Sequence, residues 1–377
     1  MENTSHLKVL VMTNEYQPKI IGGLGIVATQ LARALSRIGV DVTVLCSGYS
    51  DRLTLSSPHE NLRIFRFPKD ARYFTHNKQA YKSDPVLQAA IRKGLTKPDL
   101  IHVHSAEFAD TAKSAADRFH VPIVYSCHSM TALGISSPAG KNQTKLIRFA
   151  NQIIVPSKWQ IHATKRRYPK ANLKKFTVIP NGVMQRSNQS IGAPNQLLYV
   201  GRLIPSKGIE SLIRAIGLLS RNHKQVRLTV VGSGTTNYQR KLRALTKRVG
   251  VGKRIRWIKK APYDAVQRMY ASYGAVIVPS KNESFCLVAL EAMANGVPLI
   301  STLSGGLKEF VNDKNAQIIP AVNSINIAQA IKAFWNNPSQ SKNKLIHAHS
   351  TATRYSWPAI AHQYRSFFTN LVEVEQP

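Results

Sequence analysis

Two carboxylates eight residues apart, Glu283 and Glu291, straddle a change of pattern in this chain. Residues 275–278 form an apolar run that reads as a buried strand, 280–284 a polar loop, and 286–294 a helix rich in strong helix formers and closed by Asn295-Gly296. Ser284 is the expected N-cap. The free backbone N–H groups of Phe285, Cys286, Leu287 and Val288 would then face an anion such as a phosphate. Glu291 falls near the same face as the cap, since two helical turns take about 7.2 residues. A carboxylate there suits a pair of sugar hydroxyls, and Glu283 suits another hydroxyl or a base edge. The set fits a sugar nucleotide, although the spacing alone equally fits an exposed helix glutamate and a loop charge.

Three further places could carry chemistry. Arg202 and Lys207 lie on an expected strand-to-helix loop, where a guanidinium fork and an ammonium point charge suit a diphosphate. In a chain this basic, the pair alone says little. Gly22 and Gly23 follow a first strand at 7–12 and precede a helix running to about Gly39, and glycines there let backbone approach a ligand. The loop is a poor dinucleotide fingerprint: it lacks a clean Gly-x-Gly-x-x-Gly, and Cys46-Ser47, not an acid, ends the second strand. His128 directly follows an expected strand at 121–127, where ligands sit in open α/β sheets. A lone histidine is more often structural. His102 and His104, on the preceding strand, are expected to stand behind it at most.

The elements that must position these residues alternate between strand and helix along the chain. Strands are expected at 7–12, 40–46, 62–67, 99–104, 121–127, 151–156 and 176–179, and again at 197–200, 226–232, 255–258, 275–278, 297–301 and near Ile318. Helices fall between them, with a low-information loop at 131–142, a polar linker at 187–195, and a last helix at 358–372 in which Trp357 and Phe367 would be packing anchors. This is the pattern of doubly wound α/β units. No internal repeat or low-complexity segment is present.

In order along the chain, Gly22-Gly23-Leu24-Gly25, Cys127-His128-Ser129, Pro180-Asn181-Gly182-Val183, Gly201-Arg202 with Lys207-Gly208, the Glu283-x7-Glu291 pair, and Gly305-Gly306 with Glu309 together resemble the retaining GT-B glycosyltransferases of the family-4-like, group 1 type. The resemblance spans nearly the whole chain. It departs at Met184, where an Asp often follows, and at Cys286, where many relatives carry Gly.

The resemblance implies two Rossmann-like doubly wound domains facing across a cleft: residues 1–186 on the acceptor side, 187–355 binding the nucleotide sugar, and 356–377 as a helix crossing back to the first domain. It implies sugar transfer from a nucleotide sugar, UDP by family frequency, to a hydroxyl acceptor. His128, Arg202, Lys207 and Glu283 would be catalytic. Gly22, Gly23, Arg202, Lys207, Glu283, Phe285, Cys286, Leu287, Val288 and Glu291 would bind the donor. No Asp-x-Asp occurs, so no obligatory metal and no cofactor is expected.

Composition narrows the setting. The 377 residues and 43% hydrophobic content suit two or three globular domains. Three scattered cysteines argue against a disulfide framework or a zinc site, which suits a reducing cytosol. No signal peptide or long apolar span is expected. The 52 Lys and Arg against 19 Asp and Glu give a net charge of +33, and between Arg118 and Tyr263 the only acidic residue is Glu210. Such a field attracts anionic lipid or polymer, so peripheral contact with a membrane or envelope is the expectation. Nucleic acid is not expected as a partner, because no binding module is recognisable. A polyanion-binding surface or spore-coat-type protein on the same scaffold, and a nucleotide-sugar epimerase, are the alternatives.

Overall fold

A computed structural model describes residues 6–50, 52–68, 84–130, 134–186, 192–259 and 261–375. Residues 69–83 and, within the expected linker, 187–191 lie outside the described residues. The chain forms two compact units, one made of 1–182 with 357–377 and the other of 183–356.

The first unit holds an eight-stranded sheet. Its strands are β1 (Lys8–Thr13), β2 (Asp41–Ser47), β3 (Thr54–His59), β4 (Leu62–Phe67), β5 (Leu100–Val103), β6 (Ile123–Ser126), β7 (Gln152–Val155) and β8 (Phe176–Val178). They lie in the order β3-β4-β2-β1-β5-β6-β7-β8, parallel except for the β3–β4 pair. Val9 aligns with Val42 on one side and Leu100 on the other, so the order reverses between β1 and β5. Continuous apolar runs such as Val9 to Met12 are what a parallel strand covered on both faces requires. β3 is not among the expected strands: it is exposed throughout and carries the polar run TLSSPH, so it shows neither alternation nor an apolar stretch.

Residues 131–142 are not one loop, because helix Pro138–Phe149 begins within them. Ser137 caps it by accepting from the Gly140 amide at 3.0 Å, and Pro138 takes the first turn, where no N–H is needed. Helix Trp357–Glu375 packs on helix Gly23–Arg37 inside this unit. Its buried residues include Trp357, Ile360, Ala361, Tyr364, Phe368 and Leu371. The anchor is therefore Phe368 and not Phe367, which is one position off the buried stripe. Gly182 lies against Trp357 so closely that a Cβ there would sit 2.5 Å from the indole ring.

The second unit holds an all-parallel six-stranded sheet of β9 (Gln196–Val200), β10 (Arg227–Val231), β11 (Ile255–Ile258), β12 (Ala275–Val278), β13 (Leu299–Ser301) and β14 (Gln317–Ile318). The order is β11-β10-β9-β12-β13-β14, with its reversal between β9 and β12. At such a reversal the loops leaving the strands' carboxyl ends turn to opposite faces and leave a crevice. In each unit the residues singled out from sequence lie at these ends.

Candidate active site

In the second unit, the loops after β9 and β12 hold each other. Gly208 caps helix Ile209–Ser220 at φ +70°, and a Cβ there would come 1.9 Å from the Pro279 carbonyl, so this position needs glycine twice over. The Lys281 amide donates to the Ser206 carbonyl at 2.8 Å. Between these ties, the Lys207 ammonium meets the Glu283 carboxylate at 2.6 Å, and the Ser280 hydroxyl donates to the same oxygen at 2.7 Å. Glu283 is 8% exposed and Lys207 21%. Two residues chosen for a diphosphate and a sugar hydroxyl thus form an ion pair at the edge of the protein. Arg202, on the same loop as Lys207, is exposed.

The backbone of Glu283 is fixed from the other side. Its carbonyl accepts from the Gly306 amide at 2.9 Å, and a Cβ on Gly305, at φ +62°, would lie 2.1 Å from that carbonyl. The Thr302 and Ser304 hydroxyls both donate to the Ser280 carbonyl at 2.7 Å. The Gly305-Gly306 turn therefore positions Glu283.

The helix after this loop starts later than expected. It spans Leu287–Ala294, and its N-cap is Cys286 in the left-handed region at φ +85°, not Ser284. A left-handed cap turns the chain sharply, and the side chain of Cys286 makes no capping hydrogen bond. Burial, with Glu283 adding in the same sense, pushes the Cys286 thiol pKa well up, so it stays protonated at neutral pH. Phe285 is buried against Phe310, with ring centroids 5.0 Å apart. Leu287 and Val288 are half-buried at the helix start. Glu291 is 3% exposed. Its Oε2 accepts from the Tyr270 hydroxyl at 2.8 Å, while Oε1 is buried without a hydrogen-bond partner. Burial raises its pKa, opposed by Tyr270, Tyr263 and Gln267. Glu291 is thus no exposed helix charge.

In the first unit, Glu15 organises the glycine-rich loop. Its Oε2 accepts from the Ile21 amide at 2.7 Å and the Gly22 amide at 2.9 Å, just ahead of helix Gly23–Arg37. A Cβ on Gly25 would come 2.8 Å from the same oxygen. Gly23 is exposed, and Gly22 has open space where a Cβ would stand. The loop after β1 is tied to that after β5, since Ser105 Oγ takes the Asn14 amide at 2.9 Å and donates to Asn14 Oδ1 at 2.6 Å.

His128 is half-buried at the end of β6, and its Nε2 lies 2.8 Å from His104 Nδ1. His104 thus touches it directly and does not merely stand behind it. Burial lowers the His128 pKa to about 4, and burial, then the charge His128 would carry, lowers that of His102 to about 3. His104 is lowered well below the usual range by burial, then by His102 and His128. All three are neutral at pH 7. Among the described residues no group of three His, Cys, Asp or Glu side chains is placed to hold a metal ion.

The expected residues fall into two sets. Arg202, Lys207, Glu283, Phe285, Cys286, Leu287, Val288 and Glu291 lie in the second unit; Gly22, Gly23 and His128 lie in the first. Glu15, Ser280 and Tyr270 were not singled out from sequence. Only Glu15 left a signal, an acid between a strand and a glycine-rich turn.

Residues 21–184 match the family described as Glycosyltransferase Family 4, and 183–350 match Glycosyl transferases group 1. Over 94% of its length the chain is 29% identical to the glycogen synthase of Mycobacterium tuberculosis, 92% of which is covered. Among solved structures, sucrose-phosphate synthase from Thermosynechococcus elongatus superposes with a TM-score of 0.78 at 20% identity, covering 98% of this chain and 100% of that one. HepE from Anabaena, in complex with UDP and glucose, gives 0.76 at 19% identity, covering 97% and 100%.

Proposed function

The chain belongs to the family-4-like, group 1 glycosyltransferases of GT-B fold, and from that premise we propose that it moves a sugar from a nucleotide sugar, UDP-linked, to a hydroxyl acceptor with retention at the anomeric carbon. The observation that carries this reading is the Lys207–Glu283 pair, with the exposed Arg202 on the same loop as Lys207, at the strand ends where the sheet order of the second unit reverses. A cation and a carboxylate at hydrogen-bond distance can serve the two halves of a sugar diphosphate. That HepE, a structural neighbour, was crystallised with UDP and glucose supports the choice of nucleotide.

In the proposed reaction the bond from the anomeric carbon to the phosphate oxygen breaks as one to the acceptor oxygen forms. The acceptor proton passes to the departing phosphate, so no separate base is needed. Arg202, Lys207 and the amides at the start of helix Leu287–Ala294 stabilise the charge that develops on the diphosphate. With Arg202 and Lys207 supplying the positive charge, no obligatory metal is proposed, and activity should survive chelation. Glu283 holds a sugar hydroxyl. Glu291, held through Oε2 by the Tyr270 hydroxyl, takes the ribose. In the first unit, His128 contacts a sugar, and the loop at Gly22 and Gly23 admits a ligand close to backbone.

A panel of UDP-, GDP- and ADP-sugars, scored by thermal shift and slow donor hydrolysis, tests the reading. One UDP-sugar should respond, and Arg202→Ala and Glu291→Ala should abolish the response. A panel without any response would refute it and favour a scaffold kept for polyanion binding.

Exposed lysines and arginines on helix Lys158–Arg167 and helix Thr236–Arg248 support docking on anionic surfaces, and the enzyme is proposed to be cytoplasmic. Among the described residues no helix is long and apolar enough to cross a membrane. Equal flotation with anionic and neutral vesicles at low salt would remove the docking proposal.

A further inference from the structure

Three histidines meet at the ends of β5 and β6. The His104 and His128 rings stack 17° from parallel with centroids 5.0 Å apart, and His104 Nδ1 lies 2.8 Å from His128 Nε2. Behind them the His102 ring centroid is 4.2 Å from that of His104. His102 Nε2 lies 2.7 Å from Ser126 Oγ, which in turn is 3.5 Å from the Tyr364 hydroxyl, and the Phe368 ring closes the back at 5.2 Å. His102 is 0% and His104 2% exposed. Turning the His104 ring over would set carbon against His128 and lose this hydrogen bond.

The neutral pair has two proton arrangements. In one, His128 Nε2–H donates to His104 Nδ1. The proton of His104 then sits on Nε2, an atom that is buried and has no partner. In the other, His104 Nδ1–H donates to His128 Nε2, and His104 Nε2 keeps only a lone pair. A buried N–H without a partner is the rarer defect in folded proteins. The second arrangement also places the only proton of His128 on Nδ1, the ring nitrogen that His104 leaves available to a ligand.

We propose that His104 is a positioning residue that fixes His128 in the Nδ1–H form, so that His128 donates a hydrogen bond to a sugar oxygen and cannot act as a base. The consequence for the sugar rests on the proposed function; the tautomer itself does not. His102, held by Ser126, keeps the His104 ring in register.

The test is long-range nitrogen–proton NMR on the ligand-free, histidine-labelled full chain at neutral pH, with His128→Gln used to assign the signal. Wild-type His128 should show a protonated Nδ1 and a bare Nε2. His104→Leu should shift it toward the Nε2–H form and lower kcat at least tenfold with a smaller change in donor KM. His104→Asn, whose amide N–H takes the place of Nδ1–H, should restore both the spectrum and most of the rate. A wild-type His128 protonated at Nε2, or a His128 signal unmoved in His104→Leu, overturns the proposal. Should the tautomer be as stated while His128→Gln transfers sugar at the wild-type rate, the assignment stands and the role of His128 in the proposed function fails.

Discussion

Replacing Lys207 by Met should cost the protein both stability and activity, and the structure says how to tell the two losses apart. The carboxylate of Glu283 is 8% exposed and has Lys207 and Ser280 on one oxygen. Removing one partner of a fully buried pair costs about 3–5 kcal/mol, because a charge is left without compensation. Lys207 is 21% exposed, so water reaches the site and the expected loss is about 2 kcal/mol. For a unit of this size that is a fall of about 6 °C in Tm. Glu283→Gln should cost less, about 1 kcal/mol, since the amide oxygen still accepts from Ser280 and Lys207 can turn to solvent. The double variant should be less destabilised than the sum of the singles by about 1 kcal/mol, since the two groups touch. Arg202→Met is the control: it removes an exposed cation, so its stability should move by no more than about 0.5 kcal/mol. Transfer behaves differently. Lys207→Met and Arg202→Met should each lower kcat/KM by about a hundredfold, as expected for a group that stabilises developing charge, and the double variant should recover none of it. Calorimetry for the wild type and the four variants, and initial rates with the responding donor, decide the matter. Strictly additive stability losses, or a Lys207→Met protein no less stable than Arg202→Met, would refute the ion-pair reasoning.

Cys286 holds φ +85°, a conformation that costs an L residue about 1–2 kcal/mol; glycine gives back about 0.5–1 kcal/mol in chain entropy. Cys286→Gly should therefore be at least as stable as wild type and keep donor binding, whereas Cys286→Val should lose more than about 1 kcal/mol; equal Tm values for the two variants would remove the strain argument. His102 binds a proton in the unfolded chain near its ordinary pKa but in the folded protein only near pH 3. Its stabilising contribution is therefore complete above about pH 6.5 and is lost on acidification by about 1.4 kcal/mol per pH unit. Urea unfolding between pH 7 and 5 should show the slope reduced by up to that amount in His102→Phe, with His104 and His128 supplying the remainder, and an unchanged slope would exclude His102 as a source. Glu15→Gln, which keeps an oxygen for the Ile21 and Gly22 amides, should retain most transfer activity, while Glu15→Leu should lose it and speed amide exchange in the loop; equal behaviour of the two would mean that the loop does not depend on Glu15.

Much of the architecture was legible in the order of residues. Parallel strands buried on both faces must be apolar throughout, so Lys8–Thr13 and Ala275–Val278 announced themselves, and the Asn295-Gly296 stop was read correctly, with Gly296 at φ +66°. Strand Thr54–His59 did not, because an exposed antiparallel edge has no such demand on its side chains. The sequence by itself determined which residue types stand at the strand ends: an Arg and a Lys after one strand, two Glu after another, a His after a third. Only the tertiary structure decided what they touch. Whether Glu291 faces water or Tyr270 depends on a segment twenty-one residues earlier in the chain. Whether Lys207 stands free or meets Glu283 depends on two strands becoming neighbours across 76 residues. Local spacing sets which face of a helix a side chain takes, but burial and pairing are properties of what folds against that face, and one strand's sequence carries no record of its neighbour.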